Sequence, residues 1–275
     1  MLLLPNCKIN IGLNIVGKRA DGYHDLETFF YPIPLRDNLE FRALCEGDGP
    51  TRLSMGGLPV AGRDADNLVV KVYNALCEDF DLPSLDIYLY KKIPTGAGLG
   101  GGSSDAAFML KGLNEAFDLE LTEDEMERRI SSFGADCAFF VRNTPAFATG
   151  IGDKLQPAPI SLKGKFIVLV KPEEAVSTRE AYAHVVPQKA VPPLSESIVQ
   201  PIEKWRDTVI NDFERSIFPH HPELAAIKQT LYDMGALYAS MSGSGSTVYG
   251  IFGRPTPEAP TVFARHFVFC TRLCL

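Results

Sequence analysis

At 275 residues the chain is long enough for two domains of about 150 residues each, and folding at that size buries about three quarters of the unfolded surface without a disulfide or metal staple. With 34 acidic and 27 basic side chains, its net charge of −7 argues against a general nucleic-acid binder, yet leaves room for one anionic ligand in a locally positive pocket. No apolar run approaches the ~18 residues of a membrane span, and Met1-Leu2-Leu3-Leu4, broken at Pro5 and charged at Lys8, is too short for a secretory h-region.

Six cysteines (Cys7, Cys45, Cys77, Cys137, Cys270, Cys274) are scattered without a CxxC pair, which speaks against a zinc or redox motif. They read as free thiols in a reducing cytoplasm.

Residues 7–16 alternate strictly. Ile9, Ile11, Leu13 and Ile15 point one way and Lys8, Asn10, Gly12 and Asn14 the other, which predicts a half-buried strand with a polar second face. A turn-rich loop follows at 17–22, then strands at about 25–35 and 38–44. From Asp64 to Phe80, Leu68, Val69, Val72, Tyr73, Leu76 and Phe80 recur at helical spacing. Leu85, Ile87 and Leu89 alternate with Asp86, Tyr88 and Tyr90, another strand. The segment 93–104 opens a helix with the stripe Ala106, Ala107, Leu110, Leu113, Phe117. Thr122 and Glu125 form a capping-box signature, and Gly134 is a natural stop. Beyond residue 160 come the strand Phe166–Val170, a proline-punctuated surface loop at 187–201, a helix at about 222–234 ending at Gly235, and two strands joined by Ser242-Gly243-Ser244-Gly245-Ser246. The segment after Arg254 receives no assignment. The mixture predicts an α+β protein in two lobes.

The glycine-rich segment 96–102 is the strongest chemical signal, with five glycines in seven positions. Such a loop lets the backbone approach a ligand, and the N–H groups opening the next helix favour phosphate. Ser103 and Ser104 are candidate caps of that helix and candidate contacts to a phosphate or its metal. A Walker loop is excluded because no lysine precedes Ser103. A dinucleotide fold is disfavoured: the motif arrives after several strands, and Glu120 and Glu123 are poorly placed. Protein-kinase HRD and DFG signatures are absent.

The segment from Pro94 to Ala107 resembles the ATP loop of the GHMP kinase superfamily. Further segments resemble one branch of it, whose acceptor is a cytidine diphosphate-linked methylerythritol of the non-mevalonate isoprenoid route. They are Lys8-Ile9-Asn10, Arg19-Ala20-Asp21-Gly22-Tyr23-His24, Gly134-Ala135-Asp136 with Phe139-Phe140, Ser242-Gly243-Ser244-Gly245 and, more weakly, Val176-Ser177-Thr178. The resemblance implies an N-terminal ATP-binding α/β lobe at 1–158 and a ferredoxin-like C-terminal lobe at 159–275. It also implies ATP and Mg²⁺ as cofactors, a small-molecule substrate, no nucleic-acid or membrane partner, and a cytoplasmic enzyme of unspecified oligomeric state.

Residue by residue, it implies that Asp136 takes the proton of the acceptor hydroxyl while Lys8 favours developing negative charge. Read from the residues alone, Lys8 fits a solvated lysine on a strand's outer face equally well, and Asp136 a helix N-cap. Pro94, Thr95, Gly96, Ala97, Gly98, Leu99, Gly100, Gly101, Gly102, Ser103 and Ser104 would hold ATP, with Ser103 a possible Mg²⁺ contact and no carboxylate cage for the metal. Asn67 would meet the adenosine side; its alternative is a helix-start residue bonding nearby backbone. Lys91 and Lys92 precede the loop and could approach the nucleotide, but paired lysines usually face solvent.

Tyr23 and Tyr182 would sandwich the cytosine, with His24 at its polar edge and Asn10, Phe30 and Thr178 lining the rest of the pocket. Phe30 fits a core residue as well. Thr178 fits a first-turn residue, since Ser177 with Glu180 makes the better cap. Gly243, Ser244 and Gly245 would lie at the phosphoryl end; on turn chemistry alone they make a tight hairpin. Cys7 and Cys137 flank the catalytic candidates. A thiol pKa lowered by Lys8 would make alkylating agents inactivate the enzyme, with ATP protecting it.

Overall fold

The computed structural model describes residues 1–45 and 47–274. Residues 1–7, 35–95 and 100–144 form one compact unit; residues 8–34, 96–99 and those from Pro145 on form another. This division is discontinuous in sequence, unlike a single boundary at 158/159, because strand His24–Arg36 pairs with Ala146–Thr149.

In the first unit a four-stranded sheet runs in the order Leu2–Leu3, Asn38–Ala43, Leu85–Lys91, Arg52–Gly57. Its last two strands are parallel, so the chain between them makes a crossover, and helix Leu68–Cys77 supplies it. The helix is shorter than the 64–80 periodicity predicts because a 3₁₀ turn, Asp64–Asp66, precedes it and Asn67 caps it, accepting from Val69 N at 3.0 Å. Its apolar face, Val69, Val72, Tyr73 and Leu76, is buried, as are Ala106, Ala107, Leu110 and Leu113 of helix Gly101–Ala116. Each fully buried leucine or valine contributes about 1.5–3 kcal/mol. Helix Gly101–Ala116 sits tightly on the sheet: a Cβ at Gly112 would lie 2.5 Å from Leu3 Cδ1 and 3.0 Å from Phe41 Cε1. The capping box at Thr122 and Glu125 opens helix Glu123–Ile130, and Gly134 ends the 3₁₀ turn Ser131–Phe133 that follows.

The second unit contains two sheets. One has the order Asn6–Lys18, His24–Arg36, Ala146–Thr149, Lys154–Pro157. The other is antiparallel, ordered Tyr238–Met241, Val248–Phe252, Phe166–Lys171, Phe267–Arg272. In chain order that is second, third, first, fourth, with helices Thr178–Ala183, Asp212–Ile217 and Pro222–Asp233 in the first connection and Ala259–Val262 in the last, the ferredoxin-like pattern. Val168, Val170, Val248, Leu224, Ile227 and Leu231 form its core together with Leu13 and Ile15. The unassigned segment after Arg254 thus provides an edge strand. The proline-rich 187–201 stretch carries a short helix, Leu194–Ser197, whose Leu194 is fully buried.

The strand expected at residues 7–16 is observed within Asn6–Lys18, but its polar face is not open to solvent. Lys8 is 3% exposed, and Asn10 and Asn14 are buried as well. That corrects both the half-buried strand and the solvated-lysine alternative.

Candidate functional site

In the first unit Gly100 of the glycine segment adopts a left-handed conformation (φ 68°) as N-cap of helix Gly101–Ala116, which takes in Gly101 and Gly102. No side chain caps this helix, so Ser103 and Ser104 do not have the capping role read from sequence: both lie within its first turn. The first-turn N–H groups of this 16-residue helix suit an anion. A pocket lined by Asn67, Thr95, Gly102, Lys91 and Asp105, among others, adjoins this helix start. Asn67 caps its own helix, as its helix-start reading expects, and its residue also lines the pocket.

Asp136 lies in the turn before the short helix Phe139–Arg142, whose N-cap is Ala138, with no side-chain capping bond. Asp136 is therefore not an N-cap. Beside it, Cys137 is fully buried, and burial pushes its thiol up to about 11, a hydrogen bond with Ser103 offsetting little of this and the Asp136 charge adding to it. The lowered thiol pKa anticipated from sequence is overturned at this position: desolvation disfavours the thiolate.

In the second unit one hydrogen-bonded cluster joins four segments that are far apart in sequence. Lys8 Nζ donates to Asn10 Oδ1 at 2.6 Å and lies 4.9 Å from the centre of the Phe30 ring. Asn10 Nδ2 donates to Thr28 Oγ1 at 3.0 Å, and that hydroxyl donates to Gly12 O at 2.5 Å. Asn10 N donates to Ser242 Oγ at 3.2 Å, and the same hydroxyl donates to Gly98 O at 2.8 Å. Lys8 N donates to Leu99 O at 3.0 Å. Gly98 (φ 71°) passes so close to the second glycine segment that a Cβ would stand 2.0 Å from Ser242 O.

Gly243, Ser244 and Gly245 do form a hairpin, between Met241 and Val248, and Asn211 Nδ2 holds it by donating to Gly243 O at 2.9 Å and Met241 O at 2.8 Å. Sequence reading singled out the three residues after Ser242. The structure makes Ser242, which opens that segment, and Asn211 the connecting residues, and no sequence reading singled out Asn211.

Phe30 is buried, as its core reading expects, and its ring faces the Lys8 ammonium. His24, not Tyr23, stacks on Tyr182, with ring centres 4.8 Å apart and planes at 23°. Phe213 meets Tyr182 edge-on at 4.8 Å. Tyr23 is 61% exposed on its turn. Thr178 is exposed in the first turn of helix Thr178–Ala183, whose cap is Ser177, accepting from Glu180 N at 3.1 Å. Among the described residues no group of three or more His, Cys, Asp or Glu is arranged to hold a metal, and no helix is long and apolar enough to cross a membrane.

The solvent-facing reading of Lys91 is the one the structure overturns most consequentially. The residue is buried, and its ammonium bonds to Asp37 and Asp105. The signal was available: Lys91 falls on the inward phase of Leu85, Ile87 and Leu89.

The family model for the GHMP kinases N terminal domain matches residues 67–144, and that for the GHMP kinases C terminal domain matches residues 203–265. The chain belongs to the GHMP kinase family. It is 52% identical, over 98% of both chains, to a 4-diphosphocytidyl-2-C-methyl-D-erythritol kinase of Bacteroides thetaiotaomicron. It is 53% identical, over 93% of both, to the kinase of that name from Parabacteroides distasonis. A crystal structure of 4-(cytidine 5'-diphospho)-2C-methyl-D-erythritol kinase superposes with a TM-score of 0.81 at 28% identity, covering 98% of each chain. The mevalonate kinase of Methanococcus jannaschii, at TM-score 0.67 and 14% identity over 99% of this chain and 98% of that one, shares the fold.

Proposed function

We propose that this protein transfers the γ-phosphoryl group of ATP to the 2-hydroxyl of 4-diphosphocytidyl-2-C-methyl-D-erythritol, a step toward isoprenoid precursors. The observation that carries the reading is the 52% identity, over nearly the whole of both chains, with a kinase of that name. The domain division of the reading is 1–158 and 159–275, a boundary that falls between the two family-model matches. All six cysteines are free, which supports a cytoplasmic location.

The tertiary alcohol is far too weak an acid to ionise in advance, so its proton leaves as the new P–O bond forms. Asp136 accepts that proton. Lys8 supplies positive charge for the developing alkoxide and the transferring phosphoryl group. Two features suit Lys8 to this role: its burial removes competing water, and the Asn10 amide oxygen fixes its ammonium. Residues 94–104 cradle the ATP phosphates, with Asn67 on the adenosine side. With no carboxylate cage among the described residues, the site suits a magnesium ion that would be carried on phosphates and water, with Ser103 as a protein oxygen. Magnesium would neutralise phosphate charge there.

Tyr182, with Tyr23 and His24, recognises the cytosine; Asn10, Phe30 and Thr178 line the acceptor, and Gly243, Ser244 and Gly245 border its phosphoryl end. In the structure His24 covers a face of the Tyr182 ring. Stacking of the base there accordingly requires the imidazole to swing aside.

The test is ADP release from ATP, Mg²⁺ and the cytidyl substrate by wild type, Asp136→Asn and Lys8→Ala. Wild-type turnover that requires the substrate, falling by about 10² or more in each variant, is expected. A wild type that binds ATP but leaves this alcohol untouched overturns the substrate; variants with full activity overturn the residue roles.

A further inference from the structure

Tyr182 is placed by a helix too short to hold itself. Thr178–Ala183 has 6 residues, and a helix of that length has no independent stability in water. Neighbouring elements of the same unit anchor it: Ser216 Oγ donates to Ala181 O at 2.8 Å, and Phe213 meets the Tyr182 ring edge-on. His221 adds a different kind of anchor. It is the N-cap of helix Pro222–Asp233, yet its side chain makes no capping bond there. Its imidazole, 10% exposed, turns instead to two carboxylates. Nε2 is hydrogen-bonded to Glu180 Oε1 of the short helix at 2.6 Å. Nδ1 lies 2.7 Å from Glu174 Oε1, in the segment leading to that helix, an ionic contact without hydrogen-bond alignment.

Both ring nitrogens therefore face anionic oxygen. A neutral imidazole has one N–H and one lone pair, and would turn the lone pair on a carboxylate; only the imidazolium meets both with protons. The His221 pKa is accordingly raised, by the Glu180 bond first, with burial opposing and Glu174 assisting. The same bond is the largest influence lowering Glu180. His220 also helps to lower Glu180, and its ring lies 5.4 Å from that of His184. Glu223 faces His266 at 4.0 Å. On helix Asp212–Ile217, Glu214 pairs with Lys228 at 2.5 Å and Arg215 acts on Asp212. Among the described residues, Glu174 and Glu180 have no other ion-pair partner.

We propose that His221 is a positioning residue of the acceptor site: as an imidazolium it clasps helix Thr178–Ala183 through Glu174 and Glu180, fixes the Tyr182 ring for stacking on cytosine, and tightens acceptor binding at low pH. The proposal rests on reading Tyr182 as the cytosine contact. The clasp is complete below the ordinary imidazole value of about 6.5 and is lost as pH climbs through the higher value in the fold. When the proton leaves, one carboxylate loses its partner and the helix spreads over several placements. The apparent affinity then falls with the fraction of protein in the competent one. By linkage, a bound cytidyl group makes His221 keep its proton to higher pH.

The test is calorimetric titration with 4-diphosphocytidyl-2-C-methyl-D-erythritol, with a non-hydrolysable ATP analogue bound, from pH 5.5 to 9 on wild type, His221→Gln and Glu180→Gln. Imidazole NMR follows His221 over the same range with and without the cytidyl ligand. Wild-type affinity should fall toward high pH, relative to His221→Gln, by about three- to fivefold, the ratio one partly exposed ion pair supplies. Glu180→Gln should show a smaller pH dependence than wild type. The ionisation of His24, His184, His220 and the ligand is common to all three proteins and cancels in the comparison. The ligand should move the His221 titration to higher pH, which a histidine that only supports the fold would not show. Affinity for the ATP analogue should be the same in all three.

Parallel pH profiles in wild type and His221→Gln, or a His221 titration that the ligand does not move, overturn the clasp and leave the cytidyl reading standing. A loss in His221→Gln that is equal for the ATP analogue overturns the positioning role. If His221→Gln does not fold, Glu180→Gln and the wild-type NMR titration decide in its place. A wild type that binds the ATP analogue but not the cytidyl alcohol at any pH overturns the substrate reading and this proposal together.

Discussion

Replacing Gly98 by alanine combines two penalties that Gly96, Gly101 and Gly102 of the same loop carry singly or not at all. Gly98 has φ 71°, where an L-residue with a Cβ costs about 1–2 kcal/mol. The added Cβ would also stand 2.0 Å from Ser242 O, 2.9 Å from Ser242 C and 3.2 Å from Gly245 O, all backbone atoms. Relief requires a displacement of about an ångström, which pulls Gly98 O from the Ser242 hydroxyl and loses a bond worth about 1 kcal/mol. The total is about 3 kcal/mol or more, a fall in Tm of about 6–12 °C for a chain of this size. Gly96 (φ 60°) has nothing within 4 Å of its would-be Cβ, so Gly96→Ala carries the conformational penalty alone. Gly102 lies in the helix, also with open space around its would-be Cβ, and Gly102→Ala gains about 0.5–1 kcal/mol of helix propensity. Thermal unfolding of the three variants side by side should rank them Gly102→Ala, Gly96→Ala, Gly98→Ala in falling stability. A Gly98→Ala protein melting with Gly96→Ala would show that the close approach to Ser242 does not exist in solution.

Two further predictions concern titratable groups. Iodoacetamide at pH 7.5 should label Cys45, Cys77, Cys270 and Cys274 in the folded protein, which are exposed, and spare Cys7 and Cys137, which are buried; activity should persist, and peptide mapping that finds folded-state adducts on Cys137 contradicts the raised thiol pKa. His221 lies between two carboxylates, its Nε2 2.6 Å from Glu180 Oε1 and its Nδ1 2.7 Å from Glu174 Oε1; the Glu180 bond raises its pKa, burial opposing and Glu174 assisting. A raised imidazole pKa stabilises the fold fully below the unfolded value of about 6.5, and the contribution disappears as pH climbs through the higher folded value. The stability margin of wild type over His221→Gln, measured by urea unfolding from pH 5.5 to 9, should therefore shrink as pH rises, and a margin that grows refutes the assignment.

Much of the local architecture was written in short stretches of sequence. The Thr122–Glu125 box, the Gly235 stop, the inward phase of Leu85, Ile87 and Leu89, and the two glycine segments each depend on residues within a turn or a pleat of one another, so backbone propensity and periodicity suffice to read them. The same reasoning failed wherever solvation decided the outcome. Lys8 occupies the polar phase of its strand and is nevertheless buried, because Asn10, Thr28 and Phe30 surround that phase. Ser242 became the link between two loops 144 positions apart through one hydroxyl. Ser103 and Ser104 had the composition of caps, but Gly100 turned first. Lys91 joined Asp37, 54 positions away, and Asp105 to make a buried charged triad. Sequence alone determined many of the helices, strands and glycine turns, since those choices are local, but not the strands Arg52–Gly57 and Phe267–Arg272 or the short helix Leu194–Ser197. Only the tertiary structure decided which polar groups lose water and whom they meet instead, because desolvation is imposed by neighbours that the chain brings together from far apart.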